Sequence, residues 1–314
     1  MNILICGMGA LGTVFGVLLK DAGHSVFGLA KDRQLSALQG KKLAVTGIWG
    51  GHEAVLDQVE SSIEPLRSVN FDLVVLTVKS YDTAEAIAEL KPLVGRNTLV
   101  MVAQNGYGNY ETVARAVGKE HALLARVIFG VKLLALASAE VTVIADAVRI
   151  GQPDNAVPEA QVREVAAVIN SAGIPAEYAA NITAILWDKI LYNAALNPLG
   201  ALLECTYGQL AENQDSRLLM DRVIDEIFLV AGAQGISLNW RSAEDYRVHF
   251  YGRLVPPTAV HYPSMYHDMK AGKRLEIDAL NGAIVRLARE QGVSVPANEV
   301  IVRLIRAKEA LHRI

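Results

Sequence analysis

Short apolar runs alternate with amphipathic stretches through the first half of the chain. The runs are rich in β-branched residues and lie at 2–6, 25–29, 73–78, 98–102 and 123–129. Between them, apolar positions recur with helical spacing, for example at 11–22 and 84–90. Strands that are apolar on both faces and separated by helices indicate a parallel sheet with right-handed crossovers. Two further runs, at 141–144 and 147–150, lie close together and predict an antiparallel hairpin at the sheet edge.

After about residue 181 the pattern becomes helical. Long amphipathic stretches lie at 182–203, 216–233, 275–291 and 297–311, and the proline-containing segment 255–263 predicts a loop between helices. A chain of 314 residues is long enough for two domains. We therefore expect an α/β fold in which an N-terminal parallel-sheet domain over 1–180 is followed by an all-helical C-terminal domain over 181–314.

A glycine-rich turn joins the first predicted strand to the first predicted helix. Its glycines are Gly7, Gly9 and Gly12, with Ala10 and Leu11 between the last two. This spacing after a strand is typical of Rossmann-type domains: the first glycine allows the tight turn, the second lets the backbone approach a pyrophosphate, and the third lets helix and strand pack closely. The free N–H groups of the helix N-terminus favour phosphate there. A turn without a ligand is the alternative, but its position between strand and helix favours a bound dinucleotide.

The end of the second predicted strand bears on which dinucleotide binds. NAD enzymes usually place an acidic residue there for the ribose 2′-hydroxyl, whereas a 2′-phosphate requires cations. Lys31 occupies this position and Arg33 is close by, which favours NADPH. Asp32 keeps NAD open, and three solvated loop charges are the structural alternative.

Composition mainly excludes classes of function. The 30 Lys and Arg residues against 33 Asp and Glu give a net charge of −3, which offers no field for nucleic acid or an anionic membrane. Of the two cysteines, Cys6 lies in a buried run, so we expect no disulfide framework and a reducing compartment. No signal peptide, membrane span or metal-ligand spacing is apparent. We expect a cytoplasmic enzyme without a metal.

Polar residues follow two strands of the predicted sheet and recur along one helix. Lys79 and Asn105 lie at carboxyl ends of parallel strands, where such sheets bind ligands. Lys189, Asn193 and Asn197 recur every fourth residue in the stretch 182–203 and so share one helical stripe. A solvated face is the alternative, but asparagine is a poor helix former, and the set suits a carboxylate or ketone oxygen.

A third polar cluster begins at Ser264 and Asp268 and continues with Glu276 and Asp278. Glu276 and Asp278 could complement a helix dipole, Ser264 and Asp268 could cap helices, and spacing does not distinguish these roles from catalysis.

Together these motifs resemble the ketopantoate reductase family over essentially the whole chain. The matching residues, in order, are Gly7-x-Gly9-Ala10-Leu11-Gly12, Lys79, Gln104-Asn105-Gly106, Trp187-x-Lys189-x3-Asn193-x3-Asn197-Pro198 and Ser264-Met265-x2-Asp268-x7-Glu276-Ile277-Asp278. The resemblance implies a Rossmann domain, a helical domain and an active site in the cleft between them. Members of the family reduce 2-dehydropantoate (ketopantoate) to (R)-pantoate with NADPH, a step towards pantothenate.

The resemblance also implies individual roles. Lys189 matches the catalytic lysine that donates a proton to the ketone oxygen, and Glu276 matches the acid that assists it. Positions that bind substrate correspond to Asn193, Asn197 and Ser264. Asn105 matches a residue that binds both cofactor and substrate, and Lys79 matches one near the cofactor's phosphate and ribose side. Lys31 falls where the family has a basic residue for the 2′-phosphate.

One departure concerns the substrate pocket. Some family members place a further asparagine soon after the lysine helix, where this chain has Tyr207. Ketopantoate is the leading substrate, but reduction of another 2-oxo acid remains an alternative, as does a catalytically silent protein that senses NADPH. Retention of Lys189 and Glu276 argues against the sensor, which needs no proton donor. Apolar helical stripes allow a homodimer but are also typical of a core.

Overall fold

A computed structural model of the protein describes residues 1–312. The described chain divides into two compact units, one of residues 1–105 and 109–182 and the other of residues 106–108 and the chain from 183 onward. The elements of the first part are β1 (Asn2–Cys6), α1 (Ala10–Asp21), β2 (Ser25–Leu29), α2 (Asp32–Leu38), β3 (Leu43–Gly47), β4 (His52–Ala54), β5 (Gln58–Glu60), β6 (Leu73–Leu76), α3 (Thr83–Leu90), β7 (Leu99–Val102), α4 (Asn109–Val117), β8 (Ala122–Arg126), β9 (Phe129–Ala135), β10 (Ser138–Ile144), β11 (Val148–Gly151), α5 (Glu159–Ser171) and β12 (Ala176–Tyr178). From there on the elements are α6 (Ile182–Leu203), α7 (Tyr207–Glu212), α8 (Gln214–Ala233), α9 (Ala243–His249), α10 (Ser264–Lys270), α11 (Asn281–Glu290) and α12 (Pro296–His312).

The main sheet has eight strands in the order β12-β11-β8-β7-β6-β1-β2-β5. The central strands β1, β6 and β7 are parallel, and their apolar side chains are buried because helices cover both faces of such a sheet. From β1 the chain proceeds to β2 and β5 on one side, while β6, β7 and β8 lie on the other. The order therefore reverses next to β1, which places the glycine turn at a topological switch point, where α/β sheets bind ligands.

A second sheet has four strands in the order β4-β3-β10-β9, and helix α1 packs on it. Its hairpin is β9–β10, so the hairpin predicted from 141–144 and 147–150 is wrong. Strand β10 pairs with β9 and β3, whereas β11 pairs with β8 and β12 in the main sheet. The run 123–129 is likewise divided between β8 and β9. Apolar alternation marks a strand but carries no information about its partner or about where one strand ends and the next begins.

The second unit contains no strand among the residues that the structure describes, so the predicted α/β class with an all-helical C-terminal part is confirmed. The predicted stretch 182–203 coincides with α6. The stretch 275–291 does not form one helix: a 3₁₀ turn covers Ile277–Ala279, and α11 begins only at Asn281. Leu280 has φ −104° and ψ −109°, a non-helical conformation that interrupts an otherwise helix-like apolar spacing. The predicted loop at 255–263 contains a 3₁₀ turn, Pro256–Thr258, which follows a π-helical turn.

None of the helices described is both long enough and apolar enough to cross a membrane.

Candidate active site

The glycine turn between β1 and α1 has the conformation that its three glycines predict. Gly7 has φ +101°, and a Cβ there would lie 2.7 Å from the backbone nitrogen of Val78. Its N–H donates to the Leu29 carbonyl at 2.9 Å, while the Thr77 hydroxyl donates to its carbonyl at 2.7 Å. The turn is thus fixed to both neighbours of β1 in the main sheet.

Gly12 and Gly9 have different surroundings within this turn. A Cβ on Gly12 would lie 2.1 Å from the Gly7 carbonyl oxygen, so only glycine allows α1 to pack this closely. A Cβ on Gly9 would meet no atom within 4 Å. Gly9 is the N-cap of α1 and provides no capping side chain, and the first turn carries no acidic residue. Open space beside an uncapped helix N-terminus fits the pyrophosphate of a dinucleotide.

Lys31 lies just beyond β2, at the N-cap position of α2, and its side chain is exposed. Its ammonium is 2.9 Å from a carboxylate oxygen of Asp82, at the start of α3. Arg33 is exposed two residues further along. The two cations stand at the strand end where Rossmann-type sheets bind the adenosine ribose of a dinucleotide, and Asp82 pairs with the Lys31 side chain.

A buried side-chain amide, that of Gln104, holds the backbone next to Lys79 and, through two further side chains, the backbone at Asn105. The sequence alone assigned no role to Gln104. The Gln104 amide nitrogen donates to the Val78 carbonyl at 2.9 Å and to the Thr83 hydroxyl at 2.7 Å. The Thr83 hydroxyl donates to the Asn109 side chain at 2.9 Å, whose amide nitrogen donates to the Asn105 carbonyl at 2.8 Å. These bonds fix the backbone at Asn105 and immediately before Lys79. Three of these four bonds join residues 21 to 26 positions apart, so only the shared place of Lys79 and Asn105 at strand ends was predictable.

In helix α6 the polar stripe lies on an otherwise largely buried element. Lys189 and Asn193 are half-buried, and Asn197 is only 6% exposed. Strong burial of the last residue excludes the interpretation of the whole stripe as a solvated face. Because the three side chains recur every four residues, they project from one face of the helix.

Pro198 stands inside α6 and has no N–H for the Ala194 carbonyl. Asn281, the first residue of α11, supplies the missing donor: its amide nitrogen lies 3.1 Å from that carbonyl. The same nitrogen donates to the Asn298 side chain at 3.0 Å. A proline in a helical pattern signals an unpaired carbonyl four residues earlier, but the sequence does not identify its partner.

Ser264 and Glu276 lie outside α6. Ser264 is the exposed first residue of α10, whose N-cap is Pro263, so its side chain does not cap that helix. Glu276 is half-buried and directly precedes the 3₁₀ turn, without capping it. Asp278 is exposed and pairs with Arg306 at 2.5 Å. The cap interpretation therefore fails for Ser264.

Tyr207, the departure noted in the sequence, begins α7 and is buried. Its hydroxyl donates to the side-chain oxygen of Asn197 at 2.8 Å. Burial raises the pKa of Tyr207 well above its ordinary value, with a further contribution from Tyr192 nearby, so the phenol stays protonated.

Comparisons with known proteins point to the same family for both parts of the chain. A family model described as "Ketopantoate reductase PanE/ApbA" matches residues 3–155, and one described as "Ketopantoate reductase PanE/ApbA C terminal" matches residues 181–309. A 2-dehydropantoate 2-reductase of Aquifex aeolicus is 45% identical over 309 residues, covering 98% of this chain and 97% of that protein. One of Pyrococcus abyssi is 31% identical and covers 99% of both. The crystal structure of a PanE/ApbA family ketopantoate reductase from Ralstonia eutropha JMP134 matches with a TM-score of 0.87, 29% identity and full coverage of both chains.

Proposed function

Because the chain belongs to the ketopantoate reductase family, we propose that it reduces 2-dehydropantoate to (R)-pantoate with NADPH. The observation that carries the proposal is the stripe on α6, where a lysine and two asparagines share one face and the deepest of them is buried. Such a face offers one proton donor and directional amides for a small oxo acid.

In the proposed reaction NADPH, when bound, supplies the hydride that goes to the ketone carbon. Negative charge then develops on the ketone oxygen. The Lys189 ammonium stabilises this charge and donates a proton to the oxygen. Glu276 assists by binding the hydroxyl end of the substrate. Asn193, Asn197 and Ser264 bind the remaining polar groups of the substrate, and Asn105 contacts both substrate and cofactor. No step in this scheme calls on a metal.

The proposed cofactor site is the glycine turn, with Gly7, Gly9, Ala10, Leu11 and Gly12 around the pyrophosphate. Lys31, with Arg33 close by, favours the 2′-phosphate of NADPH over the free hydroxyl of NADH. Lys79 lies on the phosphate and ribose side. The open space at Gly9 and the uncapped start of α1 support this assignment.

A panel of 2-oxo acids tests the substrate and the cofactor together. Oxidation of NADPH and of NADH is followed by loss of absorbance with 2-dehydropantoate and with other 2-oxo acids. We expect the highest kcat/KM with 2-dehydropantoate and NADPH.

Tyr207 favours a second candidate, a reductase of the same family that acts on another 2-oxo acid. Activity confined to a different acid in the panel would establish that function. Absence of oxidation with every acid would instead favour an NADPH-sensing protein. A homodimer is a further proposal, and the mass in solution measured by light scattering tests it.

A further inference from the structure

The side chain of Asn197 is held by a neighbour that is itself rigid. Besides donating to Asn197, Tyr207 packs its ring edge-to-face against Tyr192 at 5.9 Å between centroids. Its backbone N–H donates to the His261 carbonyl at 3.1 Å, and the next residue, Gly208, donates to the Ala259 carbonyl at 2.8 Å. Ring and backbone are therefore fixed independently, so the hydroxyl has little freedom.

The segment that holds Tyr207 is itself attached to α6. The Tyr192 and Thr258 hydroxyls are 2.7 Å apart, and the Thr258 hydroxyl also donates to the Val255 carbonyl at 3.0 Å. Tyr192 lies on α6 between Lys189 and Asn193. The aromatic pair thus connects the helix that carries the proposed proton donor to the chain around 255–261.

A primary amide has an acceptor oxygen on one side and a donor nitrogen on the other, so a donor that binds the oxygen fixes the direction in which the nitrogen points. The Tyr207 hydroxyl occupies the oxygen of Asn197 and so determines which way the amide faces. We propose that Tyr207 is a positioning residue that holds the side-chain oxygen of Asn197 and so turns the amide nitrogen to donate to an acceptor oxygen of the substrate. This inference rests on the proposed function, in which Asn197 contacts the substrate.

The persistent protonation of Tyr207 supports this arrangement, because only the neutral phenol can donate. Besides the ketone oxygen, which is assigned to Lys189, the substrate carries two kinds of oxygen that can accept from Asn197. These are the carboxylate and, in 2-dehydropantoate, the terminal hydroxyl. Both can accept from the amide nitrogen, and the substrate variation below distinguishes them.

The first test is Tyr207→Phe, which keeps the buried ring and removes only the hydroxyl. We expect the KM for 2-dehydropantoate to rise about threefold to tenfold, the loss of one hydrogen bond, with kcat and the Kd for NADPH nearly unchanged. In an Asn197→Ala background the same substitution should add nothing, because the two residues act through one bond. Tyr251→Phe is the control: it removes a tyrosine hydroxyl of the same unit that donates to Asp221 at 2.7 Å and not to Asn197, and it should leave KM within about twofold.

The second test is Asn197→Asp compared with Asn197→Ala. With Tyr207 still donating to one oxygen, aspartate presents a second acceptor and a negative charge where the amide presented a donor. We expect the KM of Asn197→Asp to exceed that of Asn197→Ala by about tenfold or more. This comparison remains informative if Tyr207→Phe fails to fold.

Substrate variation identifies the accepting oxygen. With 3,3-dimethyl-2-oxobutanoate, which lacks only the terminal hydroxyl, the Tyr207→Phe effect disappears if Asn197 binds that hydroxyl and persists if it binds the carboxylate. A wild-type KM in Tyr207→Phe, or Asn197→Asp no worse than Asn197→Ala, overturns the inference. Neither result touches the proposed function, which fails only if the wild-type protein does not turn over 2-dehydropantoate.

Discussion

Gly9 and Gly12 stand three residues apart in one turn, yet a methyl group has different consequences at the two positions. At Gly12 it would lie 2.1 Å from a backbone oxygen, whereas at Gly9 it would enter open space. Gly12 is required by packing within the protein, and Gly9 leaves room for the proposed ligand.

We expect Gly12→Ala to reduce the free energy of unfolding by about 2 kcal/mol or more, because α1 must move away from β1. Gly9→Ala should leave unfolding nearly unchanged and raise the Kd for NADPH at least about tenfold, since the new methyl occupies the pyrophosphate's place. Denaturant titration and fluorescence titration of NADPH separate the two effects. Equal stability losses at the two positions would contradict this distinction.

Lys189 is the proposed proton donor to the ketone oxygen. Lys189→Ala should lower kcat by about two to four orders of magnitude, the usual contribution of a positioned general acid, while the Kd for NADPH stays the same. Lys270→Ala is the control, because Lys270 is an exposed lysine of the same unit that pairs with Glu204 at 2.7 Å. Near-normal turnover of Lys189→Ala would exclude it as the proton donor.

At the scale of elements, Pro198 and Asn281 form a compensating pair. The proline leaves the Ala194 carbonyl without its helical partner, and Asn281 supplies a donor from α11. This bond keeps the face of α6 continuous between Asn193 and Asn197.

Asn281→Ala should therefore cost about 1–3 kcal/mol of unfolding free energy, the penalty of an unsatisfied buried carbonyl. In a Pro198→Ala background the helical N–H returns, and the same substitution should cost less, leaving mainly the lost bond to Asn298. Denaturant unfolding of the four proteins gives the coupling. An unchanged cost would show that Asn281 does not replace the missing helical bond.

An ion pair connects β8 to the turn before β11. Asp146 accepts from Arg126 at 2.7 Å and from Arg149 at 3.0 Å, and the Arg126 side chain is almost wholly buried. Burial alone would raise the pKa of Asp146, but the hydrogen bonds from the two arginines outweigh it and lower the pKa to about 2.

Because the folded pKa is below the ordinary value, this carboxylate stabilises the fold above about pH 4, and the contribution is lost as the pH falls towards about 2. Asp146→Asn should cost about 1 kcal/mol near neutral pH, a modest value because the carboxylate is more than one-third exposed. The difference in unfolding free energy between wild type and Asp146→Asn should shrink over that acidic interval. A difference independent of pH would contradict the role of the charge.

How far the sequence predicts these elements depends on the range of the interactions that form them. Helix α6 matches its predicted bounds because 22 consecutive residues maintain one helical pattern. The pairing of β10 with β9, and of β11 with β8 and β12, was missed because strand partners are determined by tertiary packing. In the site, spacing brought Lys189, Asn193 and Asn197 together, but the bonds from Tyr207 and Asn281 come from distant residues whose contacts no local pattern encodes.

For the whole molecule, the proposed function requires both units. The first unit holds the glycine turn and Lys31 at a switch point of the main sheet. The second unit holds Lys189 with the asparagines of α6, together with Ser264 and Glu276. The central claim is therefore that hydride from NADPH reaches the ketone carbon of 2-dehydropantoate on this protein.

Transfer of deuterium tests this claim most directly. The wild-type protein is incubated with 2-dehydropantoate and NADPH that carries deuterium at the transferable position of C4, and the product is analysed by mass spectrometry and chiral chromatography. We predict (R)-pantoate that carries one deuterium at C2. Unlabelled pantoate, or no pantoate while NADPH binds normally, would contradict the account.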